Sequence, residues 1–313
     1  MLKPAFSTVA CPHWTLAQVA QHADEFGFEA VELRTFGDDS RRFACDPAMT
    51  SPEKTRRLFG ERGVEVLCLA TSLKFDDFIG PPVIGPLLWD QEKAVREARR
   101  AIDLAASLEC PFVRVFGMQV PAFEKRSACV ARIADRLRMV ADHAHKTGVR
   151  IVVENAGSFA RAGELLEILR AVDHGLVGAC YSNAAACLAG ESAAAGAPTL
   201  GDHLLVARVQ DAKAITETSA SDADLQRRPC SLGEGELDAR AFVRALVDAR
   251  FTGPLVFEYP FAFVPGIAGP EQVLPGAART MFDWLAGRES VQPAPGAAPH
   301  TLKPAARAGA ARR

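Results

Sequence analysis

Short β-branched or aromatic runs alternate with longer amphipathic stretches along the whole chain, and this alternation limits the fold more than any other feature. The runs predict strands near 4–9, 29–33, 64–71, 111–117, 149–154, 176–181, 204–210 and 254–258. The stretches between and after them predict helices near 15–27, 51–62, 89–108, 126–147, 161–172, 192–200, 238–249 and 271–286. Gly27, Gly63, Gly148 and Gly253 each precede a strand, where a left-handed helix cap is expected. Ser51-Pro52 and Asp238 have the chemistry of helix starts.

Strands that are apolar almost throughout are buried on both faces, which calls for a parallel sheet covered by helices. Eight strand–helix units in single file predict a single α/β domain, a (β/α)8 barrel over residues 1–287. A doubly wound open sheet is the alternative, but the first strand lacks the Gly-x-Gly-x-x-Gly turn of a dinucleotide site. Residues 73–88 and 212–237 are too long for tight turns and follow the third and seventh strands, so both are expected on the substrate face. Residues 288–313, rich in Pro, Ala and Arg, read as a disordered tail.

A formal charge of −2 over 313 residues gives no electrostatic footprint for nucleic acid or an anionic membrane surface. The eight cysteines are scattered without a Cys-x-x-Cys pair, as expected of reduced thiols in the cytoplasm. Neither a signal peptide nor a membrane span is evident. A homo-oligomer fits the chain as well as a monomer.

Two apolar strands end on glutamates, Glu154 and Glu258, and a charge in that position is costly unless it is paired, liganded or used. In a barrel the C-terminal strand ends converge on one mouth. That mouth is expected to hold Glu32, Arg34, Ser72, Lys74, Arg114, Glu154 and Asn155, followed by Ser182, Asn183, Arg208, Gln210, Asp211, Lys213, Glu258 and Tyr259. As a set these read as a polar substrate pocket, although each alone could be an ion pair closing the barrel end. His13, in the loop after the first strand, is the one histidine expected on the open face. Leu232–Asp238 reads as a turn capping the next helix through Asp238, and its Gly233-Glu234-Gly235 lacks the spacing of a phosphate loop.

The order and wording of these segments resemble the sugar phosphate isomerase/epimerase family, the xylose isomerase-like TIM barrels. The resemblance is carried by Trp14-Thr15-Leu16, Gly27-Phe28-Glu29-Ala30-Val31-Glu32-Leu33-Arg34 and Val113-Arg114-Val115-Phe116-Gly117. It continues through Val177-Gly178-Ala179, Gly190-Glu191-Ser192, Leu232-Gly233-Glu234-Gly235-Glu236-Leu237-Asp238 and Phe257-Glu258-Tyr259. It implies a metal-dependent enzyme that moves a proton next to the carbonyl of a small sugar or polyol derivative. The divalent metal, Mn or Mg, would be held by a glutamate after strand five, an aspartate after strand six, a histidine on strand seven and a glutamate after strand eight.

Glu154 and Glu258 match the first and last of these positions, but the middle two fall on Ser182 and Arg208. Further histidines of the family pattern fall on Ala156 and Ala185. At most Glu154 and Glu258 are left as metal ligands, so no cofactor is firmly expected. Arg208 stays protonated and cannot be a ligand. It is expected instead as a built-in cation between the two glutamates. In this reading Glu154, Glu258 and Arg208 are catalytic. Glu32, Arg34, Lys74, Arg114, Asn155, Ser182 and Lys213 bind a carbohydrate substrate. The alternatives are a lyase or dehydratase on the same barrel, or a non-catalytic sugar-binding homologue without the metal site.

Overall fold

The computed structural model describes residues 2–35, 43–77, 93–214 and 227–288. In chain order the main elements are β1 (Lys3–Ser7), α1 (Leu16–Phe26), β2 (Ala30–Arg34), α2 (Pro52–Gly60), β3 (Glu65–Lys74), α3 (Lys93–Ser107), β4 (Phe112–Phe116) and α4 (Arg126–Ala144). They continue with β5 (Arg150–Glu154), α5 (Ala162–Val172), β6 (Val177–Ser182), α6 (Asn183–Leu188), α7 (Ala193–Leu200), β7 (Leu204–Val209), β8 (Ala212–Ala214), β9 (Arg227–Pro229), α8 (Ala239–Asp248), β10 (Pro254–Phe257) and α9 (Pro270–Leu285). Most of the 73–88 loop and all but the first residue of the 288–313 tail lie outside the described residues.

The expected barrel is there. β1, β10, β7, β6, β5, β4, β3 and β2 pair in that order and close into a ring of parallel strands. Side chains on a strand alternate between two faces, and the two faces here differ in size. Outward residues such as Phe6, Leu69, Val113, Val153 and Phe257 pack with Val19, Ile102, Leu137, Leu169 and Met281 of the helices in one buried cluster. Inward residues form a separate small cluster of Ala5, Ala30, Cys68, Val152, Cys180, Val206 and Val256, with the half-buried Phe112 against it. Small side chains suit this layer because eight strands contribute to one narrow interior.

Several helix ends follow from local chemistry. Thr15 Oγ1 accepts from the Gln18 amide while Gln18 Oε1 accepts from the Thr15 amide at 2.9 Å, a capping box at the start of α1. Ser51 caps α2 with Pro52 in its first turn. Gly27, Gly63 and Gly148 take positive φ as expected. At the fourth position the expectation fails. The left-handed residue is Arg250, and Gly253 answers a different need, because a Cβ there would meet the Leu205 carbonyl at 2.5 Å. Asp238 precedes α8 in a left-handed conformation and makes no side-chain cap bond, so the turn before it is not held as the sequence suggested. The 212–237 segment also contains more order than a loop, since β8 and β9 pair in antiparallel register, Lys213 opposite Arg228.

Candidate active site

Two residues beyond the inner apolar layer, the same alternation turns Ser7, Glu32, Ala70, Arg114, Glu154, Ser182, Arg208 and Glu258 into the barrel. Seven of these eight are polar or charged, so a buried apolar layer is followed directly by an ionic one.

Arg208, from β7, is the centre of that layer and is fully buried. Its Nη1 donates to both Glu32 oxygens, at 2.7 and 2.6 Å. Its Nη2 lies 2.9 Å from Glu258 Oε1, and its Nε lies 3.5 Å from Glu154 Oε1. Glu154 is also paired with Arg114 through Oε2. Arg114 is anchored in turn, with Nη2 donating to the Thr71 carbonyl at 3.1 Å and the Thr71 hydroxyl donating to the Arg114 carbonyl at 2.6 Å. Carboxylates from β2, β5 and the end of β10 thus converge on one guanidinium.

The electrostatics follow from this geometry. Burial pushes the Glu32 carboxyl up, but Arg208 and Arg114, with hydrogen bonds from Arg208 and Ser7, outweigh it and hold the group at about 2. Burial pulls Arg208 down, and the charges of Glu154, Glu258 and Glu32 more than reverse it, raising the guanidinium well above its ordinary range. Arg114 shows the same balance, with burial opposed chiefly by Glu154 and a net rise. At about 4 Å each such attraction is of order 4 kcal/mol at an effective dielectric near 20, and desolvation subtracts several kcal/mol per ion. Arg208 is therefore tolerable in the interior only because several acids share it.

Of the remaining residues expected at the mouth, Arg34 is half-buried with its guanidinium carbon 5.4 Å from the Phe263 ring centroid. Burial, and next the charge of Arg114, lower it to about 10, against an opposing pull from Glu32. Lys74 and His13 are exposed. Ser182 is buried and its Oγ accepts from the Ala185 amide at 3.5 Å, starting α6.

Asn155 faces the opposite way from Glu154, and its side chain is engaged by backbone. Its Nδ2 donates to the carbonyls of Ala160 and Ser182, and its Oδ1 accepts from the Ser182 amide at 2.6 Å. Asn183 bridges the Gln210 and Leu237 carbonyls in the same manner. Glu32, named from sequence as a substrate contact, is fully buried beneath Arg208. Lys213 sits on β8, 3.5 Å from Glu234 Oε2, and lines a cavity of about 490 Å³ with Arg228, Cys230 and Tyr259. Sequence reasoning missed this cavity because it depends on how β8 and β9 fold over the chain after Glu258.

The residues in the mouth do not fit a divalent metal. Glu154 and Glu258 are already engaged by a guanidinium that would repel a metal, and Ser182 Oγ serves a helix cap. Among the described residues, no group of three or more His, Cys, Asp or Glu side chains is arranged to hold a metal ion.

Comparison with known proteins agrees with this architecture. A family profile described as "Xylose isomerase-like TIM barrel" matches residues 20–284. No curated protein matches by sequence. Among solved structures, a xylose isomerase-like TIM barrel/4-hydroxyphenylpyruvate dioxygenase fusion protein is similar at 21% identity and a TM-score of 0.69. That match covers 91% of this chain and 43% of the fusion, so the chain spans less than half of that protein. L-ribulose 3-epimerase is similar at 15% identity and a TM-score of 0.72, covering 92% of this chain and 95% of the epimerase. The probable 3-DHS dehydratase AsbF of Bacillus anthracis is similar at 16% identity and a TM-score of 0.68, covering 90% and 99%. Among the described residues, no helix is long and apolar enough to cross a membrane.

Proposed function

The chain belongs to the xylose isomerase-like TIM barrel family, and from that premise we propose that it is a sugar isomerase or epimerase-like enzyme. Its substrate would be a small sugar or polyol derivative, and its reaction the movement of a proton at a carbon next to a carbonyl. The observation that carries this reading is the placement of Glu154 and Glu258 against one fixed guanidinium, Arg208. One carboxylate takes the proton from carbon, and the C–H electron pair moves to form an enediolate with its charge on the carbonyl oxygen. The other glutamate, which enters the step as its carboxylic acid, gives a proton to the opposite face of the same carbon, or to the neighbouring carbon while the hydroxyl proton there passes to the oxyanion. Arg208 and Arg114 face the developing oxyanion as preorganised positive charges.

Two buried donors suit that role. Arg208 Nη2, although close to Glu258, is not aligned with any acceptor, and neither is Arg114 Nε. A substrate oxygen arriving between them would satisfy donors that are costly to leave unmatched. Glu258, with one-fifth of its side chain exposed, is the more accessible acid, and Glu154 is the deeper one at 8%.

Solvent-deuterium exchange into candidate ketoses tests the reading. Glu154→Gln and Glu258→Gln should each lower exchange by roughly 10²–10⁴-fold while leaving the circular dichroism spectrum unchanged. Undiminished exchange in both variants would remove the acid/base assignment. A second reading, a non-catalytic sugar-binding barrel, draws on the engagement of both Glu154 oxygens by arginines. Under that reading the wild-type protein binds sugars without any exchange.

A further inference from the structure

We propose that the cavity of about 490 Å³ beside the β8–β9 ribbon is a second binding site, separate from the barrel mouth, and that it takes a small organic carboxylate with an apolar body. The inference does not rest on the proton-transfer reading above. The cavity lies between the ribbon and the start of α9, and its lining includes Lys213, Arg228, Glu234, Tyr259, Ile267 and Val273. None of these belongs to the ionic layer around Arg208. Tyr259 follows Glu258 but turns the other way, stacked on the outward-facing Phe257 with ring centroids 6.2 Å apart.

The charge of the ligand follows from the ribbon. Lys213 and Arg228 are directly opposite in the antiparallel register, so their side chains leave the same face, and both line the cavity. Like charges in that position destabilise a strand pair. Lys213 has a partial partner in Glu234, 3.5 Å away, and both side chains are substantially exposed. Arg228 forms no ion pair among the described residues. Its Nη2 donates to the Gly266 carbonyl, which holds the guanidinium without neutralising it. Arg227, on the other face of the ribbon, does have an acid, Glu236 at 4.0 Å. On the cavity side two cations face one acid, and the ribbon alone gains nothing from that excess.

The apolar body follows from the rest of the lining. Val273 and Tyr259 are buried and Ile267 is half-buried, so a ligand held by the two cations meets a wall of hydrocarbon and aromatic ring. Burial raises the Tyr259 hydroxyl, which stays protonated at neutral pH as a donor. A carboxylate at the cation pair, with its ring or chain against this wall, satisfies both halves of the cavity. Inorganic phosphate meets the cations but leaves the wall wet. A neutral apolar molecule covers the wall but leaves the like charges opposed. The volume is in the range of small-molecule sites.

The test is calorimetric titration of the full chain with 2-naphthoate at neutral pH, beside 2-naphthalenemethanol as the neutral isostere and inorganic phosphate. Wild type should bind about one naphthoate per chain, with an affinity that falls as salt is raised. It should bind the alcohol at least about tenfold more weakly, and equimolar phosphate should not displace naphthoate. Arg228→Gln and Lys213→Gln should each weaken naphthoate binding by about tenfold. Ala268→Trp, which fills the cavity from an exposed lining position, should abolish it. Naphthoate should raise the thermal midpoint of wild type but not that of Ala268→Trp.

The absence of saturable naphthoate uptake by wild type would overturn the proposal. So would equal affinity for the alcohol, displacement by equimolar phosphate, or binding that survives Ala268→Trp. Binding lost in Arg34→Gln but kept in Arg228→Gln would put the anion in the barrel mouth and overturn it as well. If Arg228→Gln fails to fold, Lys213→Gln, Ala268→Trp and the neutral isostere still decide the outcome.

Discussion

Glu32 and Asp211 are both buried carboxylates near the mouth of the barrel, and they are neutralised in opposite ways. Glu32 faces inward and is held by the Arg208 guanidinium. Asp211 lies just past β7 and is held by backbone. Its Oδ1 accepts from the amides of Ala212 and Leu237, and its Oδ2 from those of Gly233 and Gly235. Gly235 is required there, since a Cβ would lie 2.1 Å from Asp211 Oδ1. Amides fixed in a turn do one job, the shaping of the chain. A guanidinium on a side chain can respond to a ligand, and with its neighbours it forms a charge set whose members depend on each other. The difference separates an acid that builds the scaffold from an acid that belongs to the site.

The largest expected effect breaks the site side of this contrast. Arg208→Met removes the shared cation and leaves Glu32, Glu154 and Glu258 short of compensation. Unpartnered buried charge typically costs about 3–5 kcal/mol. Urea unfolding at neutral pH should show a loss of that order, and the loss should shrink in acid as the carboxylates protonate. A change below about 1 kcal/mol would mean the acids do not depend on Arg208.

Acid titration sharpens the same point with the native residues. Glu32 is held at about 2 against an ordinary value of 4.5. A carboxyl depressed by folding contributes stability that is complete above its unfolded value. That contribution falls away as pH drops from about 4.5 through about 2, and amounts to roughly 3 kcal/mol. Stability of the wild type should therefore decline through this window, and Glu32→Gln should have a flatter profile there. Equal slopes in the two proteins would show that Glu32 is not the titrating group.

How far this contrast could be read from the chain depends on which physical signal was used. The strands were legible because each is a short apolar run, and Gly27 ends α1 at positive φ. α6 was not, because six mostly small residues carry no usable period. The three-residue β8 and β9 are likewise too short to announce themselves.

In the site, charge at strand ends singled out Glu154, Arg208 and Glu258, which do meet. Counting residues near a strand end also gathered Asn155, which alternation turns away from Glu154 toward backbone carbonyls. Stepping by two from the inner residues Val152, Val206 and Val256 would have separated these groups. The grip of Arg208 on Glu32 was not legible, because β2 and β7 are not neighbours in the ring and their side chains meet only across its interior.

The scaffold side of the contrast predicts a smaller effect of a different kind. Asp211→Asn keeps one oxygen acceptor and places an NH2 group against amide donors. The expected cost is about 1–3 kcal/mol. It should be accompanied by faster hydrogen exchange at whichever amide pair faces the NH2 group, Gly233 with Gly235 or Ala212 with Leu237, since that pair loses its acceptor. A loss larger than that of Arg208→Met would invert the comparison, making the turn rather than the ionic layer the main dependence on buried charge.

The smallest effect is expected where a charge has neither kind of enclosure. Lys213 lies 3.5 Å from Glu234, with 54% of its side chain exposed. Exposed pairs contribute little because water and salt screen them and side-chain freedom is lost in forming them. Lys213→Ala should change stability by less than about 0.5 kcal/mol, with no difference between low and high salt beyond that margin. A loss approaching that of Asp211→Asn would show that the fold of β8 and β9 leans on this pair. Burial would then no longer divide the charges that hold this mouth together from those that merely border it.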